Sequence, residues 1–248
     1  MTENFAMILD RLCARPRWRE PFTNTELARL ITERGGEITD GYISHLRKGH
    51  RDNPTLQTIE DLAAALDVCP AVFVGGRSER AGPEHPRRSF GAKLRHLFAA
   101  IHPAHRGPYT PEEAAATITS GGGSISSSYI RELLSTSPAM PPNPRLRHML
   151  ALADFFGLTD ENGPQAAYFL DDRLAERIDE ELAALIALRD AGVVEFAARL
   201  ARHASDWTPE LRRRAVHAVT EALDSGDLPE RQEPGESAWI FHNGGIRR

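Results

Sequence analysis

Apolar residues recur every three or four positions along most of the chain, which is the spacing of amphipathic helices. No alternating apolar and polar run is long enough to predict a strand. Two of the helical segments follow clear start signals, Thr23 with Glu26 and Thr110 with Glu113, and each pair fits a capping box. The pattern therefore predicts an all-α fold.

One helical unit occurs twice in the chain. The segments 22–68 and 109–158 carry apolar, glycine and cap positions in the same order. The matched residues are Gly35-Gly36, Ile38, Tyr42, Leu46 and Asn53-Pro54 in the first copy, and Gly122-Gly123, Ile125, Tyr129, Leu133 and Asn143-Pro144 in the second. Each copy predicts a helix–turn–helix, a motif whose second helix commonly enters the major groove of DNA.

The chain is predicted to contain two helix–turn–helix domains and a further helical region. The segment 75–89 is rich in glycine, proline and charge and has no apolar face, which predicts a flexible linker. The predicted regions are a first helix–turn–helix domain over 1–74, the linker over 75–89, a second helix–turn–helix domain over 90–170, C-terminal helices over 171–226 and a mobile tail over 227–248.

The C-terminal region predicts a helical hairpin. Its first helix, over 171–191, carries the apolar stripe Leu174, Ile178, Leu182, Leu185 and Ile186, and its second helix, over 208–223, has a face that includes Leu211 and Val219. Such a hairpin cannot bury its own apolar stripe. We therefore expect it to pack either on the second helix–turn–helix unit or on another subunit.

Charge is distributed unevenly along the chain. The formal net charge is −5, yet residues 1–170 carry 19 cationic and 19 anionic side chains, while residues 171–248 carry 11 and 16. The acidity thus belongs to the C-terminal region. Because the first two thirds are balanced, nucleic-acid binding would have to depend on local basic clusters.

Candidate chemistry beyond binding is sparse. Cys13 and Cys69 stand in apolar helical segments without a Cys/His cluster, which predicts buried, reduced thiols and no metal site. The glycine run 121–123 lacks the lysine and the preceding strand of a phosphate loop, so neither a cofactor nor an enzymatic activity is predicted. No apolar run reaches the roughly 20 residues of a membrane span, and Glu3 and Asp10 do not fit a signal peptide. We expect a cytoplasmic protein.

The second helix of the first copy carries the candidate DNA contacts. It is predicted over 39–48, with Ile38, Ile43 and Leu46 toward the core and Gly49 as a left-handed cap. The candidates for base contacts are Thr39, Asp40, Gly41, Ser44 and His45, and those for phosphate contacts are Arg47, Lys48 and Arg51. The basic residues also have a simpler explanation as a solvated helix end, because the helix dipole favours cations there.

The first copy resembles the Xre/Cro-like helix–turn–helix family. The matching pattern is Tyr42-Ile43-Ser44-x-Leu46-x-x-Gly49, followed by Arg51 and Asn53-Pro54. Arg47 stands where the family usually has glutamate. The resemblance implies a lambda-repressor-like helical fold for both domains and double-stranded DNA as the partner.

A longer segment, over 90–225, resembles the EspR-like family of mycobacterial nucleoid-associated regulators. The matching motifs are Phe90-x-x-x-Leu94-x-x-Leu97-Phe98, His102-Pro103, Arg106-Gly107-Pro108, Ala166-Ala167-Tyr168-Phe169-x-Asp171-Asp172 and Leu188-Arg189-Asp190-x-Gly192-Val193. The resemblance implies a homodimer, formed by the C-terminal helices, and association with the nucleoid. The dimer residues that it implies are Leu174, Ile178, Leu182, Leu185, Ile186, Leu211 and Val219.

The second copy lacks the basic cluster of the first. Leu134-Ser135-Thr136-Ser137-Pro138 stands where the first copy has Arg47-Lys48-Gly49-His50-Arg51, and three residues are inserted. The remaining candidates for secondary DNA contacts are Ser126, Ser127, Ser128, Arg131, Arg145 and Arg147. The second copy is either an accessory DNA-binding unit or a degenerate unit that supports the C-terminal helices, and the missing cations favour the latter.

These patterns predict a DNA-binding regulator that acts as a dimer, mainly through the first recognition helix, and whose flexible linker lets the spacing of two DNA sites vary. Two alternatives remain. One is a protein-interaction adaptor that does not bind DNA. The other is a small-molecule sensor whose pocket would be lined by Phe155, Phe156, Tyr168 and Phe169, although such a cluster is more often core. The salt dependence of binding distinguishes a DNA-binding protein from an adaptor.

Overall fold

The computed structural model describes residues 4–14, 20–80, 82, 85–102, 106–136, 141–160, 163–190 and 192. Nearly all regular structure in these residues is helical, which confirms the predicted all-α fold. The predicted second C-terminal helix and the tail lie outside the described residues. No helix in the described ranges combines the length and apolar character needed to cross a membrane.

The first helix–turn–helix lies within a run of five helical elements. They are α1 (Phe5–Ala14), α2 (Asn24–Glu33), α3 (Asp40–Arg47), α4 (Leu56–Leu66) and a 3₁₀ helix (Pro70–Val74). α3 is the predicted recognition helix and packs against α1 and α2. The first copy therefore begins earlier and ends later than the segment 22–68.

The second run repeats this order of elements. It consists of α5 (Phe90–Ala100), α6 (Pro111–Ser120), α7 (Ser127–Leu134), α8 (Leu146–Phe155) and α9 (Ala167–Leu170). A small antiparallel hairpin, which the sequence did not predict, precedes α9 and consists of β1 (Thr159–Asp160) and β2 (Gly163–Pro164). The last helix of the described residues, α10 (Asp172–Asp190), agrees closely with the predicted helix over 171–191.

The first and last elements of each repeat meet through aromatic rings. The ring centroids of Phe5 and Phe73 are 5.0 Å apart, and those of Phe90 and Phe169 are 4.7 Å apart. All four side chains are buried. The same contact thus closes the core of both repeats, and it shows that the repeating unit has five elements.

A paired glycine shapes the turn between the two helices of each motif. A Cβ on Gly36 would lie 2.6 Å from Cγ2 of Ile31, and a Cβ on Gly123 would lie 2.6 Å from Cγ2 of Ile118. Any side chain here would collide with the helix that precedes the turn. The recurring glycine therefore lets the chain leave α2 and α6 along the same tight path.

The helix starts predicted from the sequence are confirmed. Thr110 accepts a hydrogen bond from the Glu113 amide at 3.2 Å, and Glu113 Oε2 accepts one from the Thr110 amide at 2.8 Å, which completes a capping box. Thr23 accepts a hydrogen bond from the Glu26 amide at 3.1 Å. Both repeats thus begin their helix–turn–helix with a threonine cap.

The two repeats contact each other through the loops that precede α4 and α8. The Leu56 amide donates to the Pro144 carbonyl at 2.8 Å, and the Leu146 amide donates to the Pro54 carbonyl at 2.9 Å. An antiparallel bridge between the intervening residues lies at the centre of this pair of bonds. Backbone groups of one repeat therefore satisfy amides at the start of a helix in the other.

Asparagine side chains extend the same junction. Oδ1 of Asn143 accepts a hydrogen bond from the Gln57 amide at 2.9 Å, and Oδ1 of Asn53 accepts one from the Arg147 amide at 2.9 Å. The two amides lie in the first turns of α4 and α8. Each repeat thus supplies an N-terminal cap for a helix of the other repeat.

The described residues divide into two compact units. Those within Met1–Leu97 and Tyr109–Ile178 form one unit, and those within Phe98–Pro108 and Asp179–Arg248 form the other. The helices α2 and α3 of the first repeat and α6 and α7 of the second therefore belong to a single compact unit.

The predicted linker over 75–89 is attached to its surroundings by ion pairs. Arg77 forms two hydrogen bonds with the buried Asp171 carboxylate, at 2.5 and 2.8 Å, and Arg87 pairs with Glu60 at 2.6 Å. Burial raises the pKa of Asp171, but the hydrogen bonds and charge of Arg77 outweigh this effect and lower it overall. The arginines of this segment thus find carboxylate partners on α4 and immediately before α10.

Both cysteines are buried and free, as predicted. Burial raises the pKa of the Cys13 thiol to about 11, and burial also raises the pKa of the Cys69 thiol. The thiol form of Cys13 is thus strongly favoured at neutral pH. Reactivity of these thiols is correspondingly low.

Candidate nucleic-acid interface

The helix α3 is held by its apolar side and leaves its polar side open. Ile43 and Leu46 are fully buried. Thr39 caps the helix by accepting a hydrogen bond from the Tyr42 amide at 3.2 Å. Gly49 has a φ of +72°, which confirms the predicted left-handed cap. The two caps and the buried side chains therefore hold α3 in place with its polar face toward solvent.

The residues predicted to contact bases lie on that open face. Those that are exposed are Thr39, Asp40, Gly41 and His45, and Ser44 is half-buried. A Cβ on Gly41 would meet no atom within 4 Å, so this part of the helix backbone is open to a close approach. Asp40 Oδ1 accepts a hydrogen bond from the Gly41 amide at 2.7 Å, and His45 Nδ1 lies 3.4 Å from His50 Nδ1.

Two of the predicted phosphate contacts are free cations. Lys48 and Arg51 are exposed, and no carboxylate among the described residues lies within ion-pair distance of either side chain. The Arg51 amide donates to the His45 carbonyl at 3.2 Å, which fixes the backbone there. The C-terminal end of α3 therefore presents two positive side chains to solvent.

The third predicted phosphate contact, Arg47, is placed differently. Its Nε and Nη2 atoms donate to Oδ1 of Asp10 at 2.9 and 2.7 Å, and Nη1 donates to Oδ1 of Asn24 at 2.8 Å. Its side chain is only 22% exposed. The guanidinium therefore ties α3 to α1 and to the start of α2, and its donors are already used inside the fold.

The corresponding helix of the second repeat, α7, has a less basic face. Its candidate serines are exposed at Ser126 and Ser128 and half-buried at Ser127. Ser126 caps the helix by accepting a hydrogen bond from the Tyr129 amide at 3.2 Å. Arg131 forms an ion pair with Glu112, both of them more than half exposed.

The other two candidate arginines of the second repeat lie at the junction. Arg147 Nη2 lies 2.7 Å from Asp52 Oδ2, and Arg145 Nη1 donates to the Asn53 carbonyl at 3.4 Å. All three secondary arginines thus have partners within the chain. The exposed ion pairs of Arg131 and Arg147 contribute little stability, so these two arginines can exchange their carboxylate partners for other anions.

The packing behind α7 also limits its positive charge. The rings of Tyr129 and His148 have centroids 5.0 Å apart. Burial, and then the charge of Arg145, lower the pKa of His148, while burial raises the pKa of Tyr129. His148 is therefore held in its neutral form at physiological pH, and it adds no cation beside the second recognition helix.

The apolar stripe of α10 remains partly open. Leu174, Ile178, Leu182 and Ile186 are half-buried, and Leu185 is 47% exposed. The other predicted dimer residues, Leu211 and Val219, lie outside the described residues. The stripe thus keeps apolar surface available, and the homodimer stays a prediction.

The aromatic residues considered for a ligand pocket pack on one another. Phe156, Tyr168 and Phe169 are buried, and Phe155 is half-buried. The ring centroids of Phe155 and Phe156 are 4.8 Å apart, and those of Tyr168 and Phe169 are 5.3 Å apart. This arrangement is that of a hydrophobic core.

Sequence reasoning missed the residues that hold α3 and those that cap α4 and α8. Asp10 and Asn24 were given no role, although they accept the hydrogen bonds of Arg47. Asn53 and Asn143 were noted only as recurring residues. Their recurrence at one place in both copies was the available signal for the junction.

The fold and this surface define a class: an all-α protein in which two runs of helices follow the same order, and one run presents an open helix face beside two cations that have no ion-pair partner among the described residues. The chain belongs to the EspR family. It is 38% identical over 111 residues to the nucleoid-associated protein EspR of Mycobacterium tuberculosis, from strain CDC 1551 / Oshkosh and from strain ATCC 25618 / H37Rv. The match covers 45% of this chain and 77% of EspR. No family model matches the chain.

Proposed function

We propose that this protein is a DNA-binding transcriptional regulator that associates with the nucleoid in the cytoplasm. The observation that carries the proposal is the open face of α3, with Lys48 and Arg51 at its end and no ion-pair partner for either within the described ranges. The family relationship supports it, because the relatives are nucleoid-associated proteins. The protein acts by binding and catalyses no reaction.

Different parts of α3 contact the bases and the phosphates of the DNA. The open space at Gly41, near the start of the helix, lets the backbone approach base edges, and the Asp40 carboxylate is suited to accept a hydrogen bond from cytosine N4. Lys48 and Arg51 bind phosphates on either side of the groove. Arg47 holds α3 at the angle at which these contacts form.

The regulator acts as a homodimer through its C-terminal helices. The support for this part is the partly open stripe of α10, where Leu185 is 47% exposed. Two chains linked in this way bind one DNA molecule more tightly than one chain, because the second binding event becomes intramolecular. Exposed apolar side chains that form a regular stripe commonly mark contacts between protein chains.

Fluorescence anisotropy on mixed-sequence duplexes at several salt concentrations tests the proposal. The variant Lys48→Ala/Arg51→Ala removes the two free cations. We expect it to bind all sequences more weakly and to lower the slope of log K against log salt by about 2, since each lost phosphate contact removes about 0.9. DNA binding by Arg47→Ala is measured separately. The stability of this variant is measured as well, because it removes the hydrogen bonds that tie α3 to α1 and α2.

The matched control is Arg80→Ala/Arg87→Ala, which removes two other exposed cations and gives the same change in net charge. It should leave both the affinity and the salt slope close to those of the unchanged protein. Equal losses in the two double variants would show that only net charge matters. No binding of any duplex by the intact protein would favour the adaptor function instead.

A further inference from the structure

The contacts between the two repeats are reciprocal. Exchanging each residue for its equivalent in the other repeat, 90 positions later or earlier, converts the bond from Leu56 to Pro144 into the bond from Leu146 to Pro54. The same operation converts each asparagine cap of the junction into the other. An interface in which i contacts j and j contacts i is isologous, and it requires a two-fold axis. The two repeats are therefore related by a pseudo-two-fold axis within one chain.

Other contacts agree with this axis. Thr55 and Arg145, which are equivalent residues, pair with each other in the antiparallel bridge and so lie at the axis. The 3₁₀ helix and α9, which are the equivalent last elements of the repeats, also pack against each other. The pseudo-two-fold axis thus relates more than the junction loops. It gives a single chain two symmetry-related helix–turn–helix motifs, which such proteins usually obtain by forming a dimer.

The axis places the two recognition helices on opposite sides of one junction. In each repeat the chain runs from the recognition helix directly into the loop that meets the axis. The exposed faces of α3 and α7 are therefore related by the same rotation. Two-fold pairs of recognition helices match the local two-fold symmetry of duplex DNA, with half-sites in fixed register.

The faces that the axis relates are chemically unlike. α3 offers Asp40, Gly41 and His45, whereas α7 offers Ser128 and Arg131 in the corresponding region. A symmetric homodimer must present identical faces, but two repeats of one chain need not. Resting on the DNA binding proposed above, we propose that a single chain binds a non-palindromic DNA site of two unlike halves at fixed spacing, with α3 on one half and α7 on the other.

Selection of bound duplexes from a random pool by the full chain gives the first test. The expected result is one directional motif with two unlike blocks and a constant gap. A second set of duplexes carries insertions of about 5 and about 10 base pairs in the gap, a half and a whole helical turn. Both insertions should weaken binding at least tenfold, to the level of a duplex that carries the α3 block alone.

The variant Ser128→Asp tests α7 directly, because an added carboxylate in the first turn suits the helix dipole but repels DNA. It should weaken binding to the two-block duplex at least tenfold and leave binding to the α3 block alone unchanged. Ser128→Asn, with the same shape and no charge, is the control and should retain most of the affinity.

A single-block motif, a palindrome with two identical blocks, or an unchanged affinity of Ser128→Asp for the two-block duplex would overturn the bipartite site while leaving DNA binding by α3 intact. Failure to enrich any duplex would instead overturn the proposed function itself.

Discussion

Removing the asparagine caps at the junction should destabilise both repeats together. Asn53 and Asn143 each accept a hydrogen bond of 2.9 Å from an amide in the first turn of the other repeat's helix. Loss of an asparagine N-cap costs about 0.5–2 kcal/mol, so Asn53→Ala/Asn143→Ala should lose about 2 kcal/mol in total. For a chain of this size each 1 kcal/mol shifts the melting temperature by about 2–4 °C. The double variant should therefore melt about 4–8 °C lower.

Urea unfolding followed by far-ultraviolet circular dichroism measures the effect on the single and double variants. Asn53→Asp and Asn143→Asp are matched controls, because aspartate caps as well as asparagine and keeps the accepting oxygen. We expect one cooperative transition, a clear loss for the alanine variants and near-wild-type stability for the aspartate variants. The reasoning is refuted if the alanine variants unfold like the unchanged protein, or if alanine and aspartate are equally destabilising.

Two further predictions concern buried charges near the start of α10. Lys93 is buried, with Nζ 2.8 Å from Asp172 Oδ1 and 3.2 Å from the Phe169 carbonyl, and burial lowers its pKa. Lys93→Met should lower the free energy of unfolding by about 3 kcal/mol, because it leaves the Asp172 carboxylate without its cation. Urea unfolding at pH 7 measures this loss, and an unchanged free energy of unfolding would contradict the pairing. The pKa of Asp171 in the folded protein is below its usual value of 3.8. The stability that its ion pair adds is therefore fully present above pH 3.8, and it is lost as the pH falls through the folded pKa. In Asp171→Asn the free energy of unfolding should depend less on pH below 3.8 than it does in the unchanged protein. The same pH dependence in both proteins would show that the pair with Arg77 does not stabilise the fold.

The helices could be predicted from the sequence because their signals are local. The apolar spacing, the cap at Thr110 and the left-handed Gly49 each depend on residues within one or two turns. The predicted bounds of α3 and α10 therefore agree with the structure to within about two residues. The first helix of each repeat was also within reach, since Phe5-x-x-x-Leu9-x-x-Leu12 matches Phe90-x-x-x-Leu94-x-x-Leu97.

The remaining features depend on residues far apart in the chain. Arg47 looks like a phosphate contact in its own helix, and only the fold brings Asp10 within 2.7 Å of it. The segment that carries Arg77 looks like a linker because its carboxylate partner lies 94 residues later. A cation near a helix end has the same sequence signature whether its partner is DNA or a distant aspartate.

The exchanged caps also set an order for folding during synthesis. The amide of Gln57 is capped by Asn143, which is added 86 residues later. At about 5–20 residues per second, translation takes roughly 4–17 s to supply that cap. Over this interval the first repeat has its own core but an incomplete start to α4. The start of α4 is therefore completed only after the second repeat has emerged from the ribosome.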